Sequence, residues 1–191
     1  MCTDPVMKNS HETDGDMLPT CFPPVSAGDA IVLILGSFPG ERSLTHQQYY
    51  AHPRNAFWRI FGRLLGFDAD LEYRQRLEIL TRNNIALWDV VSSCRRTGSL
   101  DTAIEKKTIQ VNDFVRFFAE HQNIRYVIFN GQRAEIEFRR QVLPSKEIKL
   151  RNLEMNRLPS TSPALATLDF EQKVTAWRRV AEILSEHRPL K

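Results

Sequence analysis

At 191 residues, 42% of them hydrophobic and 26% charged, the chain is long enough to bury one α/β core and short for two. It has no apolar run near the roughly 20 residues of a membrane helix and no basic stretch leading into an apolar one of signal-peptide type, so a soluble, cytoplasmic protein is expected. The net charge of +3 is uneven: Met1 to Asp29 sets one lysine against five carboxylates, a balance of −4 that leaves +7 on the rest and favours a polyanionic partner.

Cys2, Cys21 and Cys94 are odd in number and widely spaced, which suits neither a disulfide framework nor a four-cysteine metal cluster, and they read as free thiols. Residues 1–24 are polar, with Pro5, Pro19, Pro23 and Pro24 and no sustained periodicity. They read as a disordered acidic leader, and 25–187 as a single domain. Ile31 to Leu35 is short, apolar and β-branched, which predicts a strand buried on both faces. Gly36-Ser37-Phe38-Pro39-Gly40 then breaks it as a stiff loop, and a loop at a strand's carboxyl end is where open α/β sheets bind ligands.

Phe57, Trp58, Phe61, Leu64 and Leu65 recur near helical spacing after Pro53, and Gly66 follows. A second helix is expected over Leu71 to Thr81, a buried strand over Ile85 to Val91, and irregular chain from Ser92 to Lys107. Asn112 is the expected cap of a helix running to His121. A third strand, Arg125 to Phe129, a helix over Ala134 to Val142 and a weak fourth strand within Glu147 to Leu158 complete the middle of the chain. Asp169 opens a long helix with Phe170, Val174, Trp177, Ala181 and Leu184 on one face. Strands alternating with helices imply a three-layer α/β/α fold around a mostly parallel four-stranded sheet.

No phosphate-binding G-x-x-x-x-G-K-[ST] loop is present, and Ser37 falls second, not third, among Gly36 to Gly40, so neither a nucleotide kinase nor a standard esterase is indicated. Without a histidine base signalled nearby, Ser37 reads as lining the turn. Tyr49-Tyr50-Ala51-His52-Pro53-Arg54-Asn55 clusters aromatics, an imidazole and a carboxamide between loop and helix, and suits a flat ligand. A tyrosine ring can stack on a nucleobase, while Asn55 can either cap the helix or direct its amide at a water. Pro159-Ser160-Thr161-Ser162-Pro163-Ala164 is a second stiff loop, able to hold phosphates through hydroxyls and amides or to push a rigid tip into a groove. Arg54, Arg95, Arg96, Arg133, Arg139 and Arg140 are candidates for the positive surface around it.

These residues resemble a known pattern. Gly36 to Gly40, then Tyr49 to Asn55 with Phe57-Trp58, are similar to motif 1 of the uracil-DNA glycosylase superfamily, and the branch they resemble most is its hypoxanthine (deoxyinosine) DNA glycosylases. Ala86-Leu87-Trp88-Asp89-Val90, Ser93-Cys94 with Gly98-Ser99-Leu100-Asp101, Phe129-Asn130-Gly131 with Ala134, and Leu158 to Ala164 extend the resemblance from Phe22 to Leu184. It implies that Asn55 and Asn130 are the catalytic pair, since the loop position where mismatch-directed relatives carry a catalytic Asn holds Phe38 here. It also implies a base pocket of Gly36, Ser37, Phe38, Tyr50 and His52, and a DNA-inserting loop of Pro159, Ser160, Thr161, Ser162, Pro163 and Ala164. Leu165 departs from the Asn expected after that loop.

The implied reaction is hydrolysis of the N-glycosidic bond of a flipped deaminated base, most readily hypoxanthine, leaving an abasic site. The alternatives are a G·U uracil glycosylase and a non-catalytic binder of damaged DNA. No cofactor or metal is implied. The partner is double-stranded DNA, met by a monomer associated with the nucleoid, whose product passes to an abasic-site endonuclease; no membrane is involved.

Overall fold

Every residue of β1 (Val32–Gly36) is buried, because strands flank it on both edges and helices cover both faces. The computed structural model describes residues 18–149 and 151–187. After β1 come α1 (Glu41–His46), α2 (Phe57–Leu65), α3 (Tyr73–Arg82), β2 (Ile85–Asp89), β3 (Val91–Ser93) and β4 (Gln110–Val111). The second half holds α4 (Phe114–Glu120), β5 (Tyr126–Asn130), α5 (Gln132–Glu137), α6 (Lys146–Lys149), β6 (Glu154–Leu158) and α7 (Phe170–Glu186). The main sheet runs β2-β1-β5-β6, and each of its pairings is parallel.

Side chains alternate across the strands, so successive residues of β1 serve different cores. Val32 and Ile34, with Ile85, Leu87 and Ile128, meet Phe57 and Phe61 of α2 and Trp177, Val180 and Ile183 of α7. Leu33 and Leu35, with Ala86, Trp88, Val127 and Phe129, meet Phe114, Phe117 and Phe118 of α4 and Ala134 and Phe138 at α5. The result is the expected three-layer arrangement around a four-stranded parallel sheet. Trp177, fully enclosed, touches Phe57 and Phe61 edge-on, and its truncation to alanine would cost about 3–5 kcal/mol.

The structure departs from the sequence expectations in five places. The polar run of α1 carries no apolar stripe, yet it forms a short helix. The stretch after Ser92 is not wholly irregular, since β3 pairs antiparallel with β4. Asp113, not Asn112, caps α4 by accepting from Arg116 N, while Asn112 Nδ2 donates to Asp89 O at 2.8 Å. The helix after Gly131 changes from α over 132–137 to a wider π turn over 138–142. The ordered body also begins before position 25: Thr20 bridges Ser93, Val25 bridges Leu87, and the carbonyl of buried Phe22 accepts from Trp88 Nε1 at 3.0 Å. Residues 1–17 of the expected leader lie outside the described residues.

Candidate active site

Gly36, Asp89, Asn130 and Leu158 end the four parallel strands, with Gly36 in register with Asp89 and Asn130 with Leu158. This is the edge at which such sheets hold ligands. Gly36 admits no side chain: a Cβ there would overlap Asp89 Oδ1 and lie 3.2 Å from Tyr50 Oη. The loop that follows is fixed by its carbonyls, Gly36 O accepting from Val90 N at 2.9 Å and Ser37 O from Val91 N at 3.0 Å. Among the described residues no acceptor is paired with the amides of Ser37 and Phe38. Ser37 Oγ donates to Asp101 Oδ1 at 2.7 Å.

Phe38 does not line the site with its side chain. Its ring joins Val91, Cys94 and Ile104 in a small separate core, with the Arg96 guanidinium 5.0 Å above it. Arg96 also donates to Pro39 O at 2.5 Å and to Gly98 O at 2.7 Å, so one cation fastens the whole loop. The expected pocket role of Phe38 is therefore confined to its backbone.

Tyr49 and Tyr50 are adjacent but serve different parts of the molecule. Tyr49 is core, packed edge-on against Phe22, with its hydroxyl donating to Pro23 O. Tyr50 adopts a left-handed backbone (φ 55°) that stacks its ring on Phe57, centroids 4.0 Å apart. Such a conformation costs a bulky residue about 1–3 kcal/mol, and positions that bear it cluster at functional sites. His52 Nδ1 accepts from Arg54 N at 3.1 Å. Asn55 Oδ1 accepts from Phe57 N at 3.0 Å, an Asx turn one residue ahead of Ala56, which occupies the N-cap position without a side-chain bond, so Asn55 steadies the helix start without capping it. Its Nδ2 has no partner among the described residues and remains open to a ligand.

Asn130 is engaged differently. Its Nδ2 donates to Thr161 Oγ1 at 2.9 Å and its Oδ1 accepts from Thr161 N at 2.8 Å, so the amide is a strut under the second loop. That loop has further anchors. Pro159 O accepts from Trp177 Nε1, Thr161 O from Ala56 N, and the buried Lys173 ammonium donates to Ser162 O and Leu165 O. Ser160 and Ser162 hydroxyls accept from the amides of Ser162 and Ala164. Pro159 to Ala164 thus forms a pre-stiffened projection whose exposed end is at Ala164.

Burial dominates the electrostatics. Desolvation, then the neighbouring Asp101, pushes the Asp89 carboxyl up to about 7 against the opposing pull of Arg96. Asp101 is raised by burial despite its bond from Ser37. Burial, then Asp89, drives the Tyr50 phenol far above its ordinary value. The Asn130 amide lies close enough to oppose that rise, yet the phenol oxygen has no hydrogen-bond partner among the described residues, and neither has Asp89 Oδ2. Asp89 is absent from the site residues expected from sequence, although a carboxylate ending the apolar run Ile85 to Trp88 is a signal in plain view. The expected basic surface is partly neutralised: Arg133 and Arg140 pair with Glu137 and Arg139 with Glu135. No group of three His, Cys, Asp or Glu among the described residues is placed to hold a metal ion, and no helix there is long and apolar enough to cross a membrane.

Residues 23–181 match the sequence profile of the uracil DNA glycosylase superfamily. The chain belongs to this superfamily. Within the superfamily it is 42% identical over 114 residues to a protein of Methanosarcina barkeri named hypoxanthine DNA glycosylase, a match covering 59% of this chain and 71% of the relative. A second protein of that name, from Methanosarcina acetivorans, is 36% identical over 150 residues, covering 74% and 94%. The fold is similar to the solution NMR structure of a candidate uracil DNA glycosylase of M. acetivorans, with a TM-score of 0.73, 33% identity and coverage of 88% of this chain and 99% of that one.

Proposed function

We propose that the protein excises hypoxanthine from DNA by hydrolysing the N-glycosidic bond of an extruded deoxyinosine. Membership of the superfamily and the names of both curated relatives support a glycosylase. The observation that carries the assignment of roles is the division of labour at the strand ends. Phe38 is turned into its own core, so the first loop offers only amides, while Asn55, joined through the next residue to the second loop, has an amide nitrogen without a partner among the described residues.

A base inside a duplex is inaccessible, and extruding it costs a few kcal/mol, least where pairing is already weak. The stiff 159–164 loop holds the distorted duplex, and Tyr50, whose ring is already stacked on Phe57, borders the extruded base. The Ser37 and Phe38 amides face the charge that gathers on the departing base. Asn55 orients the attacking water. A neutral amide is a feeble general base, so positioning and electrostatics carry the rate and turnover is slow. The protein acts as a monomer on double-stranded DNA at the nucleoid, and its abasic product passes to an abasic-site endonuclease.

Duplexes carrying deoxyinosine, deoxyuridine or deoxyxanthosine, incubated with the protein and then with alkali, test this reading. Breaks confined to the deoxyinosine lane are expected. Breaks confined to deoxyuridine opposite guanine would identify a mismatch uracil glycosylase. Binding without breaks would identify a damaged-base binder that lost catalysis along with the loop amide at Phe38.

A further inference from the structure

Asp89 has no task in the hydrolysis outlined so far. It is 3% exposed, and its Oδ2 and the Tyr50 hydroxyl are two enclosed oxygens without hydrogen-bond partners among the described residues. The other carboxyl oxygen, Oδ1, lies with Tyr50 Oη beside Gly36, where any side chain would overlap the first and crowd the second. Gly36 also begins the loop whose Ser37 and Phe38 amides are unpaired, so unpaired donors and oxygens gather around one strand end. Buried polar groups are nearly always satisfied in folded proteins, and a catalytic role is one of the reasons for an exception.

We propose that Asp89, carrying its proton, and the Tyr50 hydroxyl form a pair of O–H donors that stabilise the negative charge arriving on the purine as its bond to the sugar breaks. The inference rests on the hydrolytic reading above. The C1′–N9 bond breaks with its electron pair leaving on the base, and water forms the new C1′–O bond. The proton that water releases reaches the free base through solvent. Asp89 and Tyr50 keep their protons throughout and share them as hydrogen bonds, as a carboxylic acid held neutral in an apolar site can do.

The surroundings favour the protonated carboxyl. Asp101 is a like charge, and Tyr49, Tyr50, Tyr73 and Cys21 have their ionisation pushed upward, so they remain neutral around it. Arg96 is the opposing cation; its Nε and Nη2 are held by Gly98 O and Pro39 O, while its enclosed Nη1 has no partner among the described residues. With the carboxyl poised at about 7, the donor is lost as pH rises through that value, and the rate falls with it.

The test is single-turnover hypoxanthine release from a deoxyinosine duplex between about pH 5.5 and about 9, with affinity for a duplex carrying a non-hydrolysable deoxyinosine analogue measured in parallel. Asp89→Asn retains an N–H donor that cannot titrate, so a slower rate without the alkaline fall is expected. Asp89→Leu should lose about 10²–10³-fold in rate while still binding the analogue duplex. Because the leucine variant can fail to fold, Asp89→Asn is the deciding variant. If it keeps the wild-type pH profile, the inference is overturned. A wild-type protein that releases no base at any pH overturns the hydrolytic reading itself, a distinct result with which this inference also falls.

Discussion

The second loop and the strand-end cradle are neighbours built on opposite principles. From Pro159 to Leu165 the carbonyls of Pro159, Thr161, Ser162 and Leu165 and the amide of Thr161 are already taken by Trp177, Ala56, Lys173 and Asn130. Around Gly36 the reverse holds: two loop amides, a phenol and a carboxyl oxygen stand without partners among the described residues. A segment that must distort a duplex benefits from being ordered before contact, since nothing is then lost in ordering it on binding. A pocket whose ligand departs as an anion benefits from fixed donors with no other partner. The proposed grip is the satisfied region, and the proposed chemical centre is the unsatisfied one.

Four measurements break or sharpen that contrast. The largest expected effect lies in the pH dependence of stability. The native Asp89 carboxyl is raised from an ordinary 3.8 to about 7, so the native state binds the proton more tightly than the unfolded one. Stability is undiminished below about pH 4, falls as pH rises toward about 7 and then levels off, a loss of about 4 kcal/mol at most. Denaturant unfolding of wild type against Asp89→Asn should show the difference growing over that window; Asp101, shifted in the same direction by its own burial, keeps that part of its pH dependence in both proteins. A constant difference would mean that the carboxyl is not desolvated.

Next is Asn55→Ala, which should slow hypoxanthine release about 10²–10³-fold with duplex affinity kept, and lose about 1 kcal/mol of stability as the hydrogen bond to Phe57 N disappears. Near-normal single-turnover release would reduce Asn55 to a support of the helix start. Asn130→Ala strands the amide and hydroxyl of enclosed Thr161, with an expected loss of about 1–3 kcal/mol in unfolding free energy and weaker duplex binding. An unchanged melting temperature would deny the strut. Smallest is Lys173→Met, which keeps the apolar stem and removes the donor to Ser162 O and Leu165 O. About 1 kcal/mol and a few-fold weaker affinity are expected, with the rate at saturation unaltered.

The fold is readable because β1, β2 and β5 are apolar runs ended by Gly36, Asp89 and Asn130, and its last helix opens on Asp169, whose capping box is present in the structure. Local rules fail where the partner lies far away in the chain. Asn112 carries a capping side chain that instead serves Asp89 O and Cys21. Phe38 has the hydrophobicity of a pocket wall, and only the distant Ile104 and Arg96 explain its inward turn. The cluster from Tyr49 to Asn55 is legible as a unit, but its split into a core tyrosine and a left-handed one depends on Phe22 and Phe57. Asp89 stands in a motif that carries no role for it, since neither its enclosure nor the missing partner can be read from one strand.

Thr161 O accepts from Ala56 N, one residue past Asn55, which bolts the projecting loop to the helix end that carries the proposed water-orienting amide. On the proposed reading, the loop that holds the nucleotide and the amide that aligns its attacker share one support. A loop transplanted from another superfamily member would then import its hold on DNA only by re-aiming Asn55 as well. Asp89 ends β2 away from that support, whereas Tyr50, which meets it at Gly36, is also stacked on Phe57 at the same helix end. A substitution at Tyr50 would therefore be felt by Asn55, and one at Asp89 would not.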